Sequence, residues 1–124
     1  MVKLWVIMMG DERIYRVVFH LDEDDDERVL LLFANVENLM ADIQNVEIEV
    51  VAYSKGVNAL MRDSEYSNMI GELINDGVRF AACSNTLKAL GITSGKLVDG
   101  VDTVSSGVGE IVRKQTEGWA YIRP

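Results

Sequence analysis

Val78-Arg79-Phe80-Ala81-Ala82-Cys83-Ser84-Asn85-Thr86-Leu87 is the stretch on which the reading of this chain turns. Its first half is a short apolar run of strand length; its second half opens with polar residues and then turns apolar, as a helix start does. The pattern predicts a strand over Val78 to Cys83, then a helix with Ser84 as N-cap, Leu87 and Leu90 on its apolar side and Gly91 at its end. The only cysteine of the chain thus stands where a strand hands over to a helix. Backbone N–H groups at a helix start lack intrahelical partners and carry partial positive charge, so a thiol there ionises more readily than a free one. On residue type alone a lone cysteine is more often a small packed hydrophobe, and both readings of Cys83 stand at this point.

Outward from this stretch, strand and helix patterns alternate. Upstream, Ile14-Tyr15-Arg16-Val17-Val18-Phe19-His20 is almost continuously apolar, the mark of a strand covered on both faces. The acidic run Asp22 to Glu27 leads into Val29, Leu32, Val36, Leu39, Met40 and Ile43 at helical spacing. It reads as the charged first turn of a helix, because it lacks the glycine and spacing of an EF-hand loop. Leu30, Leu31 and Phe33 widen the apolar side of this helix beyond what one sheet covers, which points to a second buried face in an oligomer. Val46 to Tyr53 alternates and then turns fully apolar, a second strand whose early part has one solvated face. Ser54-Lys55-Gly56 is a tight loop, Val57, Leu60 and Met61 mark a short helix, and Tyr66, Ile70, Leu73 and Ile74 mark another, ended by Gly77. Downstream, a loop over Ile92 to Gly100 precedes a short strand Val101 to Val104 and the turn Ser105-Ser106-Gly107. A helix carrying Val108, Ile111, Val112 and Gln115, ended by Gly118, is followed by a final strand Trp119 to Ile122.

Such alternation predicts a single-domain three-layer α/β/α fold of flavodoxin-like architecture, with a mostly parallel sheet of about five strands and helices on both faces. Residues 1–13 are expected to form an N-terminal extension or edge strand, and residues 14–124 the domain itself. In open α/β sheets ligands bind beyond the carboxyl ends of the strands. Here those ends carry His20, Tyr53-Ser54, Cys83-Ser84-Asn85-Thr86 and Ser105-Ser106. A parallel sheet lines these groups along one edge. Each has a plainer reading: Ser84 and Ser106 as helix caps, His20 as a strand-end histidine bonded to Asp22 or Glu23. Ser105-Ser106-Gly107 offers backbone N–H groups to an anion but matches neither a P-loop nor a dinucleotide fingerprint.

Composition narrows the classes of partner. The 124-residue chain carries a formal charge of −8, which argues against a grip on nucleic-acid phosphates or an anionic membrane. The run Leu4 to Met9 is far short of the roughly 20 apolar residues that span a bilayer, and its flanks do not resemble a secretory signal. One cysteine builds no intrachain disulfide framework, so a reducing cytoplasm is expected. One histidine and one cysteine are too few for a zinc site within a single chain, and neither a metal nor a cofactor is expected.

Several of these segments together resemble the DsrE/DsrF-like (YchN-like) family of small sulfur-relay proteins. The carriers are Val17-Val18-Phe19-His20-Leu21-Asp22, Ile48-Glu49-Val50-Val51-Ala52-Tyr53 followed by Gly56-Val57, and Gly77 to Leu87. Val104-Ser105-Ser106-Gly107-Val108 and Gln115 to Pro124 look like an archaeal and bacterial branch of single-chain members. The resemblance covers nearly the whole chain from Tyr15 onward, and its cysteine motif maps onto Cys83, Leu87 and Gly91. It implies a DsrE-like domain, a homo-oligomer, commonly a trimer or hexamer, and a persulfide carried on Cys83 between donor and acceptor proteins. In that reading Ser84, Asn85 and Thr86 hydrogen-bond the anionic sulfur and His20 manages a proton. Two alternatives stay open. One is a non-catalytic module binding a small anion or nucleotide-like ligand through Ser54, Asn85, Ser105, Ser106 and Gly107; the other is an assembly subunit with an inert cysteine.

Overall fold

The computed structural model describes residues 13–124, so the expected N-terminal extension lies almost wholly outside the described residues. Five strands form one sheet: β1 (Tyr15–Leu21), β2 (Val46–Ala52), β3 (Arg79–Cys83), β4 (Asp102–Val104) and β5 (Ala120–Ile122). Their order is β4-β3-β2-β1-β5, and every pairing is parallel. The helices are α1 (Asp26–Asp42), α2 (Ser67–Asn75), α3 (Ser84–Leu90) and α4 (Gly107–Thr116), with short 3₁₀ turns over Ser54–Leu60 and Ser94–Lys96. The strands and long helices expected from Ile14 onward are present, with ends displaced by a few residues. The short helix expected around Val57 is 3₁₀ rather than α, and Val78 precedes its strand instead of opening it.

The chain runs from β1 outward to β4 in one direction, then crosses back to place β5 on the far side of β1. Right-handed crossovers put helices on opposite faces when the direction of winding reverses. The two faces are accordingly unequal. One holds the main core, in which Phe19, Val50 and Phe80 of the sheet meet Val29, Leu32, Phe33 and Val36 of α1, Leu60 of the 3₁₀ turn and Ile70 of α2. Full burial of each such side chain contributes about 1.5–3 kcal/mol. The other face packs a small cluster, Val18 and Val51 against Ile111 of α4, with Tyr53 and Trp119 at its margins.

Asp25 caps α1 by accepting from the Arg28 N–H at 3.1 Å, and Asp26 and Glu27 fill its first turn, as the acidic run implied. Phe33, read as part of an over-wide apolar side, belongs to the core, while Leu30 and Leu31 are exposed. The expected solvated start of β2 is corrected at Glu49, which is only 1% exposed. Arg79 and the α4 residues Glu110 and Lys114 close over it, so the alternation there marks a charged interior and not water.

Candidate functional site

Cys83 ends β3 and is itself the residue that precedes the first turn of α3, with extended backbone (φ −70°, ψ 118°). The expectation that Ser84 is the N-cap is corrected: Ser84 is the first helical residue, and the cysteine occupies the capping position. That shift by one residue sets the sulfur at the helix start. The thiol is 5% exposed. Burial pushes its pKa up, but hydrogen bonding from the Thr86 side chain and from the backbone N–H groups of Gly107, Thr86 and Asn85 outweighs burial and holds it below the usual thiol value.

The donors come from two helix starts, and a third segment orients one of them. Thr86 Oγ1 accepts the Ser54 N–H at 3.0 Å, which leaves the hydroxyl proton for the sulfur. Ser54 sits in the left-handed region (φ 55°), a conformation uncommon for a residue with a side chain, as it turns the chain out of β2. Gly107, the first residue of α4, supplies the remaining backbone donor. A Cβ at this position would lie 2.8 Å from Cδ2 and 3.1 Å from Cβ of Tyr53, so a glycine is what lets α4 begin against the tyrosine ring.

Of the turn Ser105-Ser106-Gly107, only Gly107 is brought to Cys83. Ser106 caps α4, its Oγ accepting the Gly109 N–H at 3.0 Å, which is the plainer reading of that serine. Ser105 is exposed, and the hydrogen bonds that lower the thiol pKa come from Thr86, Asn85 and Gly107. Among the described residues no group of three or more His, Cys, Asp or Glu is arranged to hold a metal ion, and no helix is long and apolar enough to cross a membrane.

His20 lies on the same face as Cys83: it pairs with Val51 and through it with Ala81, and residues two apart on a strand share a face. It is 8% exposed. Its Nδ1 hydrogen-bonds the Tyr121 hydroxyl at 2.6 Å, its ring centroid is 4.7 Å from that of Tyr53, and its Nε2 is 3.8 Å from Asp22 Oδ2, beyond hydrogen-bond reach. The partner expected in Asp22 or Glu23 is thus Tyr121, a residue of the distant β5. Burial lowers the His20 pKa; Asp22 opposes this, and Arg123, which pairs with both carboxylate oxygens of Asp22 at 3.0 and 3.1 Å, adds to it. No hydrogen bond or ring contact joins His20 to Cys83; Tyr53 touches the imidazole on one side and Gly107 on the other. Burial and the charge of Asp22 raise the Tyr53 pKa, so this hydroxyl stays protonated at neutral pH.

Sequence reading placed Tyr53 at a strand end without including it among the site residues, and it missed Tyr121 altogether. The signal for Tyr53 was Gly107, a glycine at a strand-to-helix turn where a close approach needs one. Tyr121 carried no such signal, because its role depends on β5 crossing back to β1.

A parallel three-layer α/β domain that brings one ionisable thiol, hydrogen-bonded by two helix starts, to the carboxyl edge of its sheet defines a class of small thiol-bearing proteins. The chain belongs to the DsrE/DsrF-like family, whose model matches residues 13–124. Among solved structures it is similar to MTH1491, a protein of unknown function from Methanobacterium thermoautotrophicum, at 70% identity and a TM-score of 0.88, covering 89% of this chain and 99% of that one. It also shares its fold with the ychN protein of E. coli, at 16% identity and a TM-score of 0.75, covering 90% and 100% of the two chains. BT1422, a conserved protein of unknown function from Bacteroides thetaiotaomicron, shares the fold at 14% identity and a TM-score of 0.72, covering 88% and 94%. No curated protein matches the chain.

Proposed function

We propose that the protein is a sulfur carrier that holds a persulfide on Cys83. The observation that carries this reading is the place of the thiol, at the carboxyl end of β3 and the start of α3, where hydrogen bonds from Thr86, Gly107 and Asn85 favour the thiolate despite its burial. A buried cysteine with only a packing role has its pKa raised by apolar surroundings. Family membership supports the same direction.

In the loading step the Cys83 thiolate attacks the outer sulfur of a donor persulfide. The donor S–S bond breaks, a new S–S bond forms on Cys83, and the donor leaves as a thiolate. An acceptor thiolate then attacks that outer sulfur and Cys83 returns to thiolate, so each step exchanges one S–S bond for another with no net oxidation. The donors around the sulfur stabilise the anion at the start and end of each exchange. Donor and acceptor proteins, a reducing cytoplasm that keeps the thiol free, and a homo-oligomeric assembly belong to this proposal. Exposed Leu30, Leu31, Val108 and Val112 supply the apolar surface that assembly would cover.

Incubation with a small persulfide donor followed by mass spectrometry tests the proposal. Wild type gains one sulfur that a thiol removes, and Cys83→Ser gains none. Equal gain by the serine variant, or no gain by wild type, overturns it. Native mass measures the assembly separately.

A further inference from the structure

Among the described residues, two buried carboxyls lie apart from Cys83, under α4. Glu49 of β2 and Glu110 in the first turn of α4 are 1% and 6% exposed, and their Oε2 atoms meet a single nitrogen, Arg79 Nη1, at 3.1 and 3.2 Å. Arg79 also reaches Asp102 of β4, its Nε 2.9 Å from Oδ2. From α4 itself, Arg113 lies 3.2 Å from Glu110, and Lys114 lies 3.7 Å from Glu49 Oε1 and 4.0 Å from Glu110. Lys114 also sits over the Trp119 ring. On the β1 side the register partner of Glu49 is the apolar Val18, and Arg16 of β1 pairs with Glu47 of β2. Glu49 Oε1 has no hydrogen-bond partner among the described residues.

The two buried carboxyls converge on one guanidinium nitrogen and are hydrogen-bonded to each other, and a shared proton removes the cost of burying two negative charges side by side. Burial, the hydrogen bond to Glu110 and the charge of Glu110 push Glu49 up to about 7, against the pull of Arg79 and Lys114. Glu110, also buried, is held low by the hydrogen bond from Glu49 and by Arg113, Lys114 and Arg79. The pair therefore reads as a protonated Glu49 donating to an ionised Glu110.

The position of this pair gives it a consequence. Beyond the charges, α4 is held by one fully facing apolar residue, Ile111, and its first residue is Gly107, which faces the sulfur. Glu110 is one turn from Gly107 on the same short helix. We propose that Glu49 and Glu110 form a proton-dependent seat for α4, which positions the Gly107 N–H against Cys83 and so makes the thiolate respond to the protonation of a pair it does not touch. These are positioning residues. The inference rests on the Cys83 site proposed above but not on what Cys83 transfers. With the proton in place α4 is seated and the thiolate is stabilised; loss of the proton sets two carboxylates against each other and draws the first turn of α4 away from the sulfur.

The test is the pH profile of Cys83 alkylation by iodoacetamide in the folded chain, together with amide exchange across Glu110–Thr116, corrected for intrinsic exchange and normalised to α1. In wild type the alkylation profile departs from a single titration curve with a second inflection near pH 7. Protection of α4 falls roughly tenfold across it, as expected for a coupling of about one pKa unit. In Glu49→Gln, whose amide donates to Glu110 without titrating, the profile follows one curve and protection is constant. Glu110→Gln, together with the wild-type exchange data, carries the test if Glu49→Gln does not fold. A single-curve profile with pH-independent protection in wild type overturns the proposal. So does a second inflection that survives Glu49→Gln and disappears in His20→Asn. Because alkylation needs no sulfur donor, a failure to load persulfide leaves this result interpretable.

Discussion

Replacing Gly107 with alanine perturbs the thiol without touching it. The new Cβ would stand 2.8 Å from Cδ2, 3.1 Å from Cβ and 3.3 Å from Cγ of Tyr53, inside van der Waals contact, so the ring or the start of α4 has to move. Tyr53 is itself packed against His20, so the helix start is the freer of the two. Overpacking of this kind costs about 1–3 kcal/mol, while alanine in place of glycine in a helix returns up to about 1 kcal/mol. Global stability therefore falls by about 0–3 kcal/mol, a range too wide to decide the point. The thiol decides more. A hydrogen bond to a charged group contributes about 1.5–3 kcal/mol, and one pKa unit corresponds to about 1.4 kcal/mol. With Thr86 and Asn85 still donating and water partly replacing the lost donor, the Cys83 pKa is expected to rise by about one unit. The assay is the alkylation rate against pH, with the urea-unfolded protein as the free-thiol reference. A Gly107→Ala protein that is folded and has an unchanged midpoint would refute the assignment of Gly107 as a donor to the sulfur.

Three further outcomes are expected. Thr86→Val keeps the shape but removes the hydroxyl between the Ser54 N–H and the sulfur. The thiol pKa should rise in the same assay, with Thr86→Ser restoring it; equal midpoints in all three proteins would exclude the hydroxyl. Gly56→Ala sets a Cβ 2.1 Å from the Leu21 carbonyl oxygen, a backbone atom with no side chain to yield. Thermal unfolding should show a loss above about 4 kcal/mol or no soluble protein, and a near-native melting temperature would contradict the packing described. Glu49, raised in the folded state from 4.5 to about 7, favours folding below its unfolded value and loses that contribution as pH rises toward 7. His20, lowered from 6.5, acts the other way: its contribution is present above its unfolded value and is lost as pH falls through the folded one. As pH rises from 4.5 to about 7, urea midpoints should therefore decline more in wild type than in Glu49→Gln, and identical pH profiles for the two would remove Glu49 as the cause.

The strands were legible because burial on both faces leaves long apolar runs, as in Val17-Val18-Phe19 and Phe80-Ala81-Ala82, and the helices because α1 and α2 keep their apolar spacing. The position of Cys83 was legible for the same reason. Its role as the residue preceding the helix was not, since the choice between Cys83 and Ser84 depends on backbone angles that a one-residue shift in pattern does not reveal. Glu49 was read as wet because alternation records polarity and not exposure; only the arrival of Arg79 and α4 turns that position inward. His20 was expected to bond a neighbour in sequence and instead bonds Tyr121, which pairing with β5 brings alongside. Partners supplied by a crossover leave no local trace.

Both outer strands of the described sheet, β4 and β5, are only three residues long. An exposed strand edge is a template on which another chain can add a strand, and shortness is one way proteins blunt it. Each edge here exposes too little backbone to anchor an added β-ribbon or to seed a growing fibre. At these two described edges recognition falls to side chains, whose chemistry can discriminate between partners in a way that main-chain pairing cannot.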